Sequence, residues 1–379
     1  MKKEIGKMNY IIHLTDSCNL NCKYCYEKKE KKDISFENIQ KLIDYEIKQK
    51  NKHSTITFYG GEPLTKIDLI HKTIEYINKQ KTKTKFYYGI TTNATLINEE
   101  IIKFMKENNF INIAYSIDGN EDVHNLNRKF VSGDNTFDIV EKNAKKVLEH
   151  FKDAVAMVAV TKNNIENLDE SVKYLIDLGF TSINILFDYT ANWEDEDLKI
   201  IKGSFKKVSD IYYEKLLREE DISIGIFDDK IKSHIDENYN CTEECNLGMK
   251  TINVGTDGKF YPCMQFVKNE EFVIGDCEGG IDINKRALLK QNANKESEIC
   301  KTCGINKRCK HTCSCRNYIT SKDINIISPI VCETERIFIE LADNIAEKLH
   351  KQNSKLFIQK YYNEKYGILK KIIEMKGEK

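Results

Sequence analysis

Proline occurs three times and tryptophan once in 379 residues, and only six of the 59 basic residues are arginine. With so little proline, long helices and strands meet few forced interruptions. Basic and acidic residues balance at 59 each, which excludes the basic footprint of a nucleic-acid-binding protein. No apolar run approaches the ~20 residues that a membrane-spanning helix needs, and the mean hydropathy is −0.53. The N-terminus, Met1-Lys-Lys-Glu-Ile-Gly-Lys7, lacks the apolar stretch of a secretory signal. A cytoplasmic protein with no nucleic-acid or membrane partner is therefore expected. The basic run Lys28-Lys-Glu-Lys-Lys32 reads as a solvated loop. Without an oxidising compartment a disulfide framework loses its basis. Thirteen cysteines then need another explanation, and thiolate ligation of iron and sulfide supplies one.

Cys18, Cys22 and Cys25 lie in His13-Leu-Thr-Asp-Ser-Cys-Asn-Leu-Asn-Cys-Lys-Tyr-Cys-Tyr26, spaced C-x3-C-x2-C. A [4Fe-4S] cluster ordinarily takes four thiolates. Three close together fill one face and leave the fourth iron open, and an open position distinguishes a catalytic metal site from a structural one. The spacing is not that of the ferredoxin runs. Half a zinc site, or buried structural thiols, are the competing readings of the three cysteines alone. The triplet, with aromatic Tyr24 just before its third cysteine, resembles the signature of the radical SAM enzymes. That resemblance implies that S-adenosylmethionine (SAM) chelates the open iron and is cleaved reductively to a 5′-deoxyadenosyl radical. Cys18, Cys22 and Cys25 are then the catalytic ligands, reduced by a donor such as flavodoxin or ferredoxin in an anaerobic cytoplasm.

Apolar, β-branched runs alternate with amphipathic stretches over the first 218 residues. Strands are expected at 10–15, 55–59, 85–92, 111–117, 154–161 and 182–187. Helices are expected at 36–48, 67–78, 101–108, 137–150, 168–178 and 195–217. Repeated β-then-α units imply a parallel sheet with crossover helices, an α/β fold. Six units suit an open, partial (β/α)6 barrel, which is also what the resemblance implies. Barrel enzymes carry their chemistry in loops after the C-terminal ends of the strands. The Cys18 loop, Gly60-Gly-Glu-Pro63, Thr92-Asn93, and Ser116 with Asp118 all fall at such ends.

Glycines 60 and 61 allow strained turns and close approach of backbone to a ligand. Glu62 offers an acceptor to an amino group, and Pro63 stiffens the turn. Placed after strand two, Gly60-Gly-Glu-Pro63 matches the family's motif for the methionine end of SAM. Thr92, Asn93, Ser116 and Asp118 are candidates for ribose and carboxylate contacts, with strand capping as their plainer role. Arg128, in a segment similar to one in maturases of the family, suits bidentate carboxylate recognition; a surface salt bridge is the alternative.

After about residue 225 the pattern changes to short strands, turns and the remaining cysteines. Cys245-x12-Gly258-x4-Cys263 precedes Cys300-x2-Cys303-x5-Cys309-x3-Cys313 and an isolated Cys332. This resembles the SPASM domain behind radical SAM barrels. With Cys241 there are eight thiolates, enough for two more [4Fe-4S] clusters, and three in the whole chain. The resemblance assigns Cys241, Cys245, Cys263 and Cys313 to one auxiliary cluster, and Cys300, Cys303, Cys309 and Cys332 to the other. Two zinc ribbons compete for the same cysteines. Cys277 reads as a buried thiol, and Cys315 stands close enough in sequence to replace Cys313. The expected domains are residues 1–225 (barrel), 226–335 (SPASM) and 336–379 (a helical extension, with helix from 334 and a second amphipathic run at 355–375).

SPASM enzymes include anaerobic sulfatase-maturating enzymes, which form formylglycine, and maturases that cross-link ribosomally made peptides. In the sulfatase-maturating group an Asp, the proposed base, follows the cysteine of the Tyr-Pro-Cys turn. Here Tyr261-Pro262-Cys263 is followed by Met264, which cannot take a proton. Gly258-Lys-Phe-Tyr-Pro-Cys-Met-Gln-Phe-Val267 looks more like the thioether-forming maturases of Cys-containing peptides, with formylglycine formation, or a maturase that forms carbon–carbon cross-links or epimerises, as the alternatives. A precursor peptide with a leader is the expected partner. Seventeen residues precede Cys18, so a leader is expected to be held by the SPASM region, the C-terminal helices or a separate leader-binding protein.

Overall fold

The computed structural model describes residues 7–27, 29–236, 246–293, 295 and 297–362. Strands and helices alternate as β1 (Lys7–Thr15), α1 (Phe36–Gln49), β2 (His53–Gly60), α2 (Ile67–Asn78), β3 (Lys85–Thr92), α3 (Glu99–Glu107) and β4 (Phe110–Ser116). They continue as α4 (Glu121–Asn127), α5 (Phe137–His150), β5 (Val155–Val160), α6 (Leu168–Leu178), β6 (Ser182–Phe187), α7 (Asp197–Leu217), β7 (Ser223–Ile224) and α8 (Gly225–Ile235). The later part holds β8 (Thr251–Val254), β9 (Phe260–Tyr261), β10 (Gly275–Asp276), β11 (Gly280–Ile281) and α9 (Ile283–Asn292). It ends with α10 (Glu298–Lys301), α11 (Ser314–Ser321), α12 (Pro329–Lys351) and α13 (Lys355–Tyr362).

One open sheet of nine strands, ordered β7-β6-β5-β4-β3-β2-β1-β8-β9, carries the chain. Every neighbouring pair from β7 to β8 is parallel, and β9 alone runs antiparallel. The six expected β/α units are all present. Two additions extend them: β7 beyond β6, and β8, which leaves the cysteine-rich region to pair with β1 from Asn9↔Thr251 to Ile12↔Val254. The sheet is therefore wider than a six-unit barrel.

Along β1, Tyr10, Ile12 and Leu14 bury in the apolar core with Ile39, Leu42 and Ile43 of α1. His13, on the opposite face, is also fully buried. The helices open on side-chain caps where the sequence offers them. Ser35 Oγ accepts from Asn38 N–H, and Asn98 Oδ1 from Ile101 N–H, which starts α3 two residues before its first apolar position. α4 was not apparent from apolar periodicity; Asn120 Oδ1 accepts from Val123 N–H, with Glu121 and Asp122 in the first turn. The C-terminal helix starts at Pro329 rather than near 334, because proline fits the first helical position. Its Phe338 ring lies 4.6 Å from that of Phe205 on α7. A buried polar network ties α8, α11 and α12 together. Glu335 takes an ion pair from Lys230, another from Arg316 Nη1 at 2.8 Å, and the Lys310 N–H at 2.9 Å. Burial alone would raise the Glu335 carboxyl, but Lys230 and Arg316 outweigh it and hold it at about 2. Among the described residues no helix is long and apolar enough to cross a membrane.

Candidate active site

The loop leaving β1 carries Cys18, Cys22 and Cys25 as free thiols, the first two half-buried and Cys25 exposed. Cys18 Sγ accepts the Leu20 N–H at 3.4 Å and the Asn93 side-chain amide at 3.7 Å. Asn93 Nδ2 also donates to Asn19 Oδ1 at 2.9 Å, and Asn19 Nδ2 donates to Thr95 Oγ1 at 2.8 Å. Burial pushes the Cys18 thiol up to about 11, with the Leu20 N–H opposing; without a metal this sulfur stays protonated. Three thiols on one eight-residue loop, one already taking N–H donors, are a donor set that fits an iron–sulfur cluster and its supporting hydrogen bonds.

The Gly60-Gly61 turn is strained, as expected, and makes a close approach within the protein itself. Gly60 sits at φ +131°, and a Cβ there would stand 2.3 Å from Thr15 O; one on Gly61 would stand 2.2 Å from Ser17 O. Gly61 N–H donates to Thr15 O and Glu62 N–H to Ser17 O. The close approach these glycines permit is thus to the base of the cysteine loop. Glu62 is fully buried and already takes three protein donors: Leu64 N–H at 3.0 Å, Thr92 Oγ1–H at 2.7 Å and Asn93 N–H at 2.7 Å. Burial raises its carboxyl to about 7 against those donors. Glu62 thereby fixes Asn93, which fixes Cys18. Pro63 opens the short 3₁₀ turn that follows.

Arg128 is not on the surface. Its Nε makes an ion pair with Asp118 Oδ2 at 3.0 Å, and the same oxygen accepts the Tyr24 hydroxyl at 2.7 Å. The guanidinium lies 5.3 Å from the centre of the Tyr24 ring. Asp118 Oδ1 accepts the Ala159 N–H at 3.0 Å. Buried His124, whose proton affinity burial lowers to about 4, receives the Asp118 N–H and meets Thr136 Oγ1. Half-buried Tyr24 and buried Asp118 and Arg128 therefore form a triad linking the cysteine loop to the ends of β4 and β5. Burial raises the Cys22 thiol, and Arg128 opposes it. Ser116 ends β4 half-buried, in register with Met157.

A second group was missed in the sequence although its members lie in or beside the quoted motifs. Tyr26 and Tyr59 share a hydroxyl–hydroxyl bond of 2.8 Å. Tyr26 is 45% exposed, and desolvation, with Tyr59 and Glu27 adding, raises its phenol above the ordinary value. Tyr59 is raised by burial and by Glu27, Cys25 and Cys263 around it. Its ring packs 4.8 Å from His13, whose two nitrogens lack hydrogen-bond partners among the described residues and whose Nδ1 lies 3.7 Å from Glu27 Oε1. Burial lowers His13 to about 3 and raises Glu27 to about 7, Asp16 adding to the latter. The signal available was His13 alternating with Ile12 and Leu14, a polar residue on the face away from the helices.

Cys25 of the rim and Cys263 of the later region thus face one tyrosine pair. Lys268 Nζ, 2.9 Å from Asp16, and Thr256 Oγ1, donating to the same carboxylate at 2.9 Å, fasten the two regions together. Cys241 and Cys245 lie outside the described residues. Of the others, Cys303 and Cys332 both neighbour Arg336, whose Nη2 is 3.6 Å from Cys303 Sγ. Cys309 is buried, its thiol pushed up to about 12 by burial, with Glu335 and Cys332 adding. Cys300 O accepts the Cys303 N–H in the same knuckle. Cys263 and Cys313 cap the turn Met264–Phe266 and α11, which pack through Phe266, Phe272 and Tyr318. Cys277 is buried.

The model of the radical SAM superfamily matches residues 12–175. The chain belongs to this superfamily. A cysteine-type anaerobic sulfatase-maturating enzyme of Clostridium perfringens is 27% identical over 362 residues, covering 86% of this chain and 94% of that protein. The solved structure of native anSMEcpe with bound AdoMet and Cp18Cys peptide matches with a TM-score of 0.77 at 25% identity, over 90% of this chain and 99% of that one. Streptococcus suis SuiB bound to precursor peptide SuiA shares the fold, with a TM-score of 0.62 at 18% identity over 86% and 76% of the two chains. The protein is accordingly a SAM-using radical enzyme of the SPASM type.

Proposed function

We propose that this radical SAM enzyme modifies a ribosomally made, Cys-containing precursor peptide and joins a cysteine sulfur to a carbon of another residue. On this reading residues 1–225 are the catalytic barrel, 226–335 the SPASM region and 336–379 an extension. Cys18, Cys22 and Cys25 hold the SAM-binding cluster, and the eight later cysteines hold two auxiliary clusters. A bound cluster with SAM supplies a 5′-deoxyadenosyl radical, able to take a hydrogen atom from the peptide. The surrounding residues do the holding. Glu62 and Asn93 orient Cys18, while the Tyr24–Asp118–Arg128 triad braces Cys22. Thr92, Asn93 and Ser116 remain the rim groups offered to SAM, and Tyr26 and Tyr59 wall the space between Cys25 and Cys263.

The observation that carries the thioether reading is Met264. It stands directly after Cys263, at the start of a turn, where sulfatase activators have a carboxylate. Sulfatase maturation is the second reading, favoured by the 27% identity that extends over 86% of the chain. The two give different products. Incubated with SAM, an electron donor and a Cys-rich precursor peptide, the enzyme should yield a product two hydrogens lighter per bridge, with one thiol resistant to alkylation. Formylglycine on a sulfatase-derived Cys peptide, with no reaction on the precursor peptide, decides for sulfatase maturation.

A further inference from the structure

Cys300, Cys303, Cys309 and Cys332 all lie within the described residues, and all four are free thiols. Cys300 and Cys303 share one turn, in which the Cys303 N–H donates to Cys300 O at 3.1 Å. Cys332 lies close enough to Cys309 to raise its thiol. Four thiols gathered from one knuckle and one helix are a donor set that fits a fully ligated [4Fe-4S] cluster. A cation accompanies them. Arg336 stands one turn after Cys332 on α12, so the two side chains leave the same face of the helix. Its Nη2 is 3.6 Å from Cys303 Sγ, and the Cys332 thiol is its other sulfur partner. One guanidinium therefore joins two of the four sulfurs, and through it α12 meets the knuckle.

The charge balance differs from that of the catalytic loop. The ion pair of Arg336 with Glu333 is long, 3.9 Å, between two half-exposed side chains, so little of the positive charge is cancelled. In the catalytic loop Cys18 takes neutral donors, the Leu20 N–H and the Asn93 amide. The Arg128 charge beside Cys22 is matched by buried Asp118 at 3.0 Å. Reducing a cluster adds a negative charge to it. A cation and N–H donors on its thiolates therefore favour the reduced form, and net charge and hydrogen bonds to sulfur are the levers that set cluster potentials.

We propose that Arg336 raises the reduction potential of the cluster on Cys300, Cys303, Cys309 and Cys332, so that an electron leaving the peptide is taken up there rather than at the catalytic cluster. This rests on the SPASM reading given above. Each thioether forms one C–S bond and breaks one C–H and one S–H bond. The 5′-deoxyadenosyl radical takes the hydrogen atom from carbon, the thiol proton goes to water, and one electron is left to be accepted. Arg336 gains and loses nothing in this step; it is a positioning residue that makes the uptake more favourable.

A redox titration of the anaerobically reconstituted full chain, followed by electron paramagnetic resonance, tests this. The signal missing from Cys309→Ala identifies the cluster, and in the wild type it should appear at a higher potential than that of the catalytic cluster. Arg336→Met should keep the wild-type iron content, about twelve per chain. It should lower the potential of that one signal by about 59 mV, a tenfold shift in a one-electron equilibrium. Arg336→Lys keeps the charge but loses the planar fork, and should shift it less. An unchanged potential in fully loaded Arg336→Met overturns the proposal, as does a shift in signals that survive in Cys309→Ala. Arg336→Gln, neutral but still an N–H donor, serves if Arg336→Met does not fold, and its potential should also fall. Loss of about four irons in both neutral variants makes Arg336 a structural clamp and overturns the tuning role. A wild-type chain that saturates near four irons overturns the SPASM reading itself, a result distinct from a loaded chain whose potentials ignore Arg336.

Discussion

Arg128 Nε and Asp118 Oδ2 lie 3.0 Å apart, with the two side chains 9% and 0% exposed. Because the Tyr24 hydroxyl donates to the same oxygen, one carboxylate links the cysteine loop, the end of β4 and the residue that closes α4. Removing Asp118 leaves a buried guanidinium without its counter-charge, which costs about 3–5 kcal/mol. Replacing both charged partners by apolar groups costs far less than breaking one. Asp118→Ala should therefore be more destabilised in denaturant titrations than Asp118→Ala/Arg128→Met. A double variant as weak as the sum of its singles shows the two residues to be independent.

Gly61→Ala tests how closely β2 must approach the cysteine loop. The new methyl would sit 2.2 Å from the Ser17 carbonyl oxygen, so the loop has to move. The expected result is loss of about four irons per chain, the content of one [4Fe-4S] cluster, together with SAM cleavage. The auxiliary irons should stay. Unchanged iron with normal 5′-deoxyadenosine formation contradicts this account of the glycine.

Glu62 gives a pH dependence with a definite sign. Its folded carboxyl titrates at about 7, above the ordinary value of 4.5, because burial disfavours the anion. The folded state then holds its proton more tightly than the unfolded chain does. Its contribution to stability is fully present below pH 4.5 and is lost as pH rises towards 7. Glu27, raised for the same reason, acts in the same direction. Glu62→Gln should flatten the fall in thermal midpoint between these pH values, whatever its effect on the midpoint itself. An identical slope in the variant places the titration elsewhere.

Cys18→Ala/Cys22→Ala/Cys25→Ala should lose about four irons and all 5′-deoxyadenosine formation, while the remaining clusters survive. SAM cleavage persisting in this variant contradicts the assignment of the catalytic cysteines. Cys309→Ala separates a later step: it should still form 5′-deoxyadenosine but no cross-linked peptide. Cross-linking at the wild-type rate removes the auxiliary clusters from the oxidation.

The six strand–helix units were legible because each strand is an apolar run and each helix keeps one buried stripe, as Ile39, Leu42 and Ile43 do in α1. Residues that join distant segments were less so. Asp118, Arg128 and Tyr24 are spread over a hundred positions, and periodicity says nothing about which polar groups will meet in a core. Glu62 was recognised through its motif, but its three protein donors depend on how β2 and β3 end side by side. β8 is four residues long, too short to show in a sequence that it pairs with β1 rather than with a local hairpin. His13 and Glu27 flank the cysteine triplet and were overshadowed by it.

The pairing of β1 with β8 also bears on synthesis. β1 finds one neighbour, β2, within its first sixty residues, but its other neighbour ends at Val254. At a translation rate of about 5–20 residues per second, that side of β1 waits on the order of 10–50 s on the ribosome. During that interval the unpaired backbone of Asn9–Ile12 is a template for strands of other nascent chains. The strand that leads into the loop of Cys18, Cys22 and Cys25 is thus enclosed on its second side only after about two thirds of the chain has been made.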